Sequence, residues 1–110
     1  MLEERKAAIN DGQVRDKYEF VTAALVMDVY DMCVECDTTA AAFAVTLPNV
    51  ALAKGKIYTI MLVTDGGFDV TIQDNDEAKF WSNLTLDDAG DGYALYSNGR
   101  QWFIISTVTP

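Results

Sequence analysis

The sequence predicts an all-β fold: a compact antiparallel β-sandwich or barrel of about seven to eight short strands, with a short N-terminal arm. Three observations lead there. Short runs of apolar residues alternate with polar ones, as on half-buried strands. Turn residues punctuate the runs at regular intervals, among them Pro48-Asn49, Asp65-Gly66-Gly67 and Asn98-Gly99. No long helical pattern interrupts them.

The chain has 110 residues, half of them apolar, and a formal net charge of −9. That length fits one domain with a modest core. The charge divides it into an arm, 1–17, and a β-rich body, 18–110. In the arm Glu3, Glu4, Asp11 and Asp16 balance Arg5, Lys6, Arg15 and Lys17. In the body only Lys54, Lys56, Lys79 and Arg100 oppose thirteen carboxylates. Such a surface repels phosphate, so neither nucleic acid nor an anionic membrane is an expected partner. Met1-Leu2-Glu3-Glu4 is charged where the apolar core of a secretory leader would begin. No run of about 18 apolar residues exists to span a membrane. Synthesis and folding in a cytosol, with free thiols, are expected.

Residues 1–12 are good helix formers ending at Gly12, with Leu2, Lys6 and Ile9 as a thin face. A helix this short is marginal in water, so the arm is expected to order against another surface. Residues 18–22 alternate through Tyr18 and Phe20 and read as a strand. An apolar continuation follows, with a helix through Ala23, Ala24 and Leu25 as the alternative. Residues 28–37 set Tyr30, Met32, Val34 and Cys36 on one face and Asp31, Cys33 and Glu35 on the other. Asp37-Thr38-Thr39 then supplies turn chemistry.

Residues 41–64 read as the middle of the sheet. Phe43, Val45 and Leu47 alternate up to Pro48, which cannot donate to a ladder. Residues 50–54 form a loop or single turn, and Gly55 resets the backbone. Residues 56–64 are apolar on both faces, which predicts a central strand. Asp65-Gly66-Gly67 predicts a hairpin to the alternating run Phe68, Val70 and Ile72. An acidic loop, 74–77, leads to a short strand through Leu84-Thr85-Leu86. Residues 93–96 and 101–108 predict a last hairpin about Asn98-Gly99. No internal repeat is legible.

Candidate chemistry is sparse. Cys33 and Cys36 have C-x-x-C spacing, but on a strand they point to opposite faces, and there is no histidine to complete a zinc set. The carboxylate-rich stretches 74–77 and 87–92 miss the spacing of a twelve-residue calcium loop and read as solvated turns. Nucleophilic triads lack a base, and no glycine-rich phosphate loop precedes a helix. Neither an enzyme, a metal nor a cofactor is expected. Aromatics concentrate in the C-terminal third. Trp81, Tyr96 and Trp102 are the ones that could stack on sugar rings, although strand aromatics more often pack.

The segments FAVTLPNVALAKGKIYTI, DGGFDVTI and LTLDDAGDGYALYSNGRQWFII resemble a pattern found in small structural proteins of tailed bacteriophages. There a "VTLP" strand end precedes "GK-x-YTI", a "GG-x-VTI" turn and a "Y-x-LYS-x-G-x-x-W" hairpin. Those proteins include capsid decoration (cement) proteins, head fibres and tail-fibre segments. The resemblance covers roughly residues 37–108. It implies a virion protein, commonly a homotrimer, made in the bacterial cytoplasm and carried on the virion. A chain this short has no room for a fibre shaft, which favours decoration. On that reading Leu2, Arg5, Lys6, Ile9, Arg15 and Lys17 contact the shell's major capsid protein or a neighbouring subunit. The alternative is a host-surface or glycan-binding module using Trp81, Tyr96 and Trp102.

Overall fold

A computed structural model describes residues 17–109. Leu2, Arg5, Lys6, Ile9 and Arg15 therefore lie outside the described residues. Among those described there are nine strands and no helix: β1 (Lys17–Val21), β2 (Leu25–Val26), β3 (Asp31–Asp37), β4 (Phe43–Thr46), β5 (Ile57–Thr64), β6 (Val70–Gln73), β7 (Leu84–Leu86), β8 (Gly92–Ser97) and β9 (Trp102–Val108). The stretch 22–26 is a bend followed by β2, not a helix. Lys17, which the sequence reading set in the arm, is the first residue of β1.

The strands form two sheets, ordered β1-β3-β5-β8-β9 and β2-β4-β6-β7. All-β architecture is as expected, with a sandwich-like pairing of sheets over one core. The expected antiparallel arrangement is corrected. β1, β3 and β5 are mutually parallel neighbours, as are β2, β4 and β6. The reason is the route of the chain. Its first six strands alternate between the sheets, so the chain winds as a two-sided coil of three turns. Each return to a sheet then runs in the same direction as the last. Only β7, β8 and β9 run antiparallel to their neighbours, β6, β5 and β8 respectively. The turns differ in length. Tyr18 pairs with Cys33, fifteen residues on, and Cys33 with Thr59, twenty-six residues on. Unequal turns leave no period in the sequence.

Two local expectations fall with the antiparallel one. β4 and β5 are not neighbours, so residues 41–64 cross between sheets. Asp65-Gly66-Gly67 is likewise a corner between β5 and β6, not a hairpin. The local turn chemistry is as read: Asp65 Oδ1 accepts the Gly67 N–H at 2.8 Å, and Asp37 Oδ1 accepts the Thr39 N–H at 2.8 Å. The two corners stack. The Thr38 N–H donates to the Thr64 carbonyl at 3.0 Å, and the Gly66 N–H to Thr38 Oγ1 at 3.1 Å. A Cβ on Gly66 would lie 2.3 Å from Thr39 Cα. This glycine is required by close approach of one corner to the next.

β5 is central in the five-stranded sheet, as its two apolar faces predicted. Val34, Cys36, Tyr58, Ile60, Leu62 and Leu95 turn inward from this sheet; Val45, Val70, Ile72 and Leu86 meet them from the other. Trp102 is fully buried beneath them, edge-on to Tyr58 with ring centroids 5.5 Å apart. The β8–β9 hairpin forms about Asn98-Gly99 as expected. Asn98 Oδ1 accepts the Arg100 and Gln101 N–H groups at 2.9 and 2.8 Å, and Gly99 takes a φ of 93°.

Candidate functional site

Three places on the body concentrate chemistry. The first is the acidic corner between β7 and β8. The carboxylates of Asp87, Asp88 and Asp91 lie within 4.8 Å of one another, beside a groove of about 240 Å³ that Thr85, Tyr93 and Thr107 also line. Asp91 is buried and Asp87 and Asp88 are exposed. Asp91 Oδ2 accepts the Asp87 N–H at 3.0 Å and the Asp88 N–H at 3.1 Å, so it holds the corner's backbone. Burial would push the Asp91 carboxyl up, but those two donors and the Asp87 side chain outweigh it and hold it below the ordinary value. Asp87 moves the other way, raised first by its hydrogen bond to Asp91 and then by the charge of Asp88. Any cation at this corner would be held by these three carboxylates. Their local role is to close the loop.

The second place is the 74–81 loop. Asp74 is buried and its Oδ2 accepts the Ala78 N–H at 2.8 Å. Burial chiefly raises its carboxyl above the usual range. The Lys79 ammonium lies 5.2 Å over the Trp81 ring and donates to Glu77 Oε1 at 2.7 Å and the Trp81 carbonyl at 3.3 Å. Trp81 Nε1 in turn donates to the Trp102 carbonyl at 3.2 Å. These bonds pin the loop to the last hairpin.

The three aromatics named for sugar stacking therefore do not form one face. Trp102 is core and offers no face to a ligand. Trp81 is half-buried under Lys79, and Tyr96 sits half-buried on the far side of the β8 strand. Lys17 also has a structural setting: its ammonium is 3.2 Å from Asp28, 3.2 Å from the buried Asp31 and 3.3 Å from Glu19. Asp28, then Asp31, hold it well above the ordinary lysine range. The cysteines diverge as the strand period required, Cys36 buried and Cys33 partly exposed. Burial pushes the Cys36 thiol up to about 12, so it is a neutral core side chain at pH 7.

The third place is the outer face of the five-stranded sheet. Register carries the same face across every strand. One row runs Ile57, Tyr96 and Phe103; the next runs Tyr18, Cys33, Thr59, Ala94 and Ser106; the last runs Phe20, Glu35, Met61, Gly92 and Val108. Tyr18, Phe20, Ile57 and Val108 are each about half exposed, at 56%, 49%, 49% and 56%. Phe80, 77% exposed, extends the first row by packing on Phe103 at 5.9 Å. Among the described residues Glu35 is the only charge on this face between the ends of the strands, and Tyr18 Oη donates to it at 2.9 Å. Asp31 and Asp37 end β3 and are engaged with Lys17 and Thr39. Sequence reading missed this face. Its signal was the second apolar face of residues 56–64, which also fits a fully buried strand. No family model, curated protein or solved structure matches this chain.

Proposed function

We propose that the chain is a structural protein of a tailed-phage virion, a capsid decoration protein that binds the assembled shell as a homotrimer and stabilises it. The observation that carries the reading is the set of shared segments and where they lie. The "VTLP" residues close β4 and leave it, and "GK-x-YTI" opens the central β5; Gly66-Gly67 make the stacked corner before Val70-Thr71-Ile72 of β6, with two residues between where the pattern has one. "LYS-x-G-x-x-W" builds the last hairpin and supplies the core Trp102. The resemblance thus rests on the residues that set the course of the chain. An acidic body keeps decorated particles apart in solution. The neutral arm, through Leu2, Arg5, Lys6, Ile9 and Arg15, makes the shell contact. Lys17 is removed from that set, because its charge is engaged within the body. The glycan-binding alternative retains Trp81 and Tyr96 of its three aromatics.

The test is co-sedimentation of the purified chain with shells of the virion encoded by the same genome, alongside mass spectrometry of the purified particles. Saturable binding is expected. A chain carrying Arg5→Glu, Lys6→Glu and Ile9→Asp should bind at least about tenfold more weakly, which is about 1.4 kcal/mol. Absence of the chain from particles overturns the virion reading. Undiminished binding by the variant overturns the role of the arm.

A further inference from the structure

We propose that the outer face of the five-stranded sheet is the surface through which copies of this chain contact one another. This names the surface for the self-association in the trimer reading and does not rest on the shell role. Four observations carry it.

The first is charge. The body is strongly acidic, and a second copy meets repulsion wherever carboxylates face carboxylates. On this face Glu35 stands alone and is bonded to Tyr18. A basic partner would be drawn instead to the acidic corners, so the charge pattern selects a like-charged occupant. The other sheet's outer face is also uncharged. It carries Thr71, Gln73 and Thr85, whose polar groups would lose water on burial, while Thr46 is already buried and bonded to Gln73.

The second is relief. Thr59, Gly92, Ala94 and Ser106 form a low trough over the sheet's centre. Tyr18 and Phe20 rise along one flank. A ridge of one copy fits the trough of the next, in an arrangement that closes as a pair or a ring.

The third is area. Five strands about 4.8 Å apart and about six residues long present roughly 450 Å² in projection, more once side-chain relief is counted. Patches of that size are the largest that monomers usually carry, and they are often functional. Phe80 enlarges it, and the face remains below the roughly 800 Å² per partner of a standard interface, the size of a weak, concentration-dependent contact. The fourth is strand direction. Parallel strands occur mainly where both faces are covered, and here β1, β3 and β5 are covered on one.

The experiment is sedimentation velocity of the full chain from about 1 to about 200 μM, a range that brackets micromolar association, with Cys33 alkylation followed over the same range. The subunit mass is 12.1 kDa. The expected result is a concentration-dependent multiple of that mass, with Cys33 at least about tenfold slower to react in the assembly. Phe20→Glu and Ala94→Glu should return the chain to monomer and restore Cys33 reactivity, while Val26→Glu, on the other sheet, leaves the assembly intact. Cys33 protection in the unmodified chain reads the face even if a variant fails to fold. A two-copy assembly sensitive to Phe20→Glu keeps the face and overturns the trimer. An assembly indifferent to Phe20→Glu and Ala94→Glu, with Cys33 reactive throughout, overturns the face and keeps self-association. A monomer at every concentration overturns both. A monomer with Cys33 protected until Leu2→Asp and Ile9→Asp are introduced assigns the face to the chain's own N-terminal segment. Cys33 protection only on adding shells assigns it to the shell. Each of those last two outcomes also overturns the proposal.

Discussion

At Asp91 a single carboxylate decides the shape of a corner. Its oxygen satisfies two backbone donors, so the charged form is the one the fold prefers. A folded value below the ordinary one means that the stabilisation is complete above about pH 4 and is lost as pH falls through the folded value. Asp87, raised by the same hydrogen bond, contributes in the opposite sense, favouring the fold at low pH and losing that as pH rises. Asp91→Asn keeps an acceptor and removes the titration. It should lower stability at pH 7 by about as much as the parent's Asp91 contribution loses in acid, and flatten that fall. Asp91→Ala should cost about 1–2 kcal/mol at pH 7 through the two unpaired donors. Urea unfolding between pH 3 and about pH 7 reads both. An alanine variant as stable as the parent would refute the closing role. None of this was legible in the sequence, where Asp87, Asp88 and Asp91 looked alike. Which of three aspartates turns inward depends on the strand that follows. Gly92 enters β8 and draws Asp91 under the loop.

The elements were easier to read than their partners. Period-2 alternation placed most of β3, β5 and β9 because it depends only on which side of a strand faces the core. Direction and neighbour are properties of the corners, and a corner looks like a hairpin turn when its residues are Asp-Gly-Gly. The two uses separate energetically. In a hairpin either glycine serves the turn's positive φ, whereas here the glycines have different duties. Gly67 carries a φ of 101° with open space around it, and Gly66 presses on the Thr39 backbone. Gly67→Ala should therefore cost about 1 kcal/mol, the ordinary strain of a left-handed alanine. Gly66→Ala must displace a neighbouring corner and should cost about 3 kcal/mol or more. Denaturation midpoints compare them directly. Equal losses at the two sites would contradict the stacked-corner arrangement.

Across the whole molecule, the chain's alternation between sheets makes the two sheets inseparable. Every turn of the coil contributes a strand to each, and residues from both meet Tyr58 and Trp102 in one core. A single cooperative unfolding is expected, with Trp fluorescence and far-ultraviolet circular dichroism coinciding and a urea m-value of about 1–2 kcal/mol/M. Separate transitions would mean that the sheets are independent. For the same reason a Trp102→Ala variant should lose about 3–5 kcal/mol and cannot serve as a probe of ligand binding. Trp81→Ala is the informative substitution there. The outer face escaped sequence reading for a related reason. Ile57, Thr59 and Met61 become one surface with Tyr18, Phe20, Ala94 and Phe103 only through pairings between distant parts of the chain.

The three-turn winding also constrains how a chain of this kind can change in length. A whole turn, gained or lost, restores each strand to its sheet with inward and outward residues unaltered. One residue gained within β3 or β5 exchanges every later side chain of that strand between core and solvent. Extra residues are absorbed in the crossings, as the unequal turns already show. Divergent descendants of this sequence should accordingly differ by complete turns or by the length of their corners, while each strand keeps its number of residues.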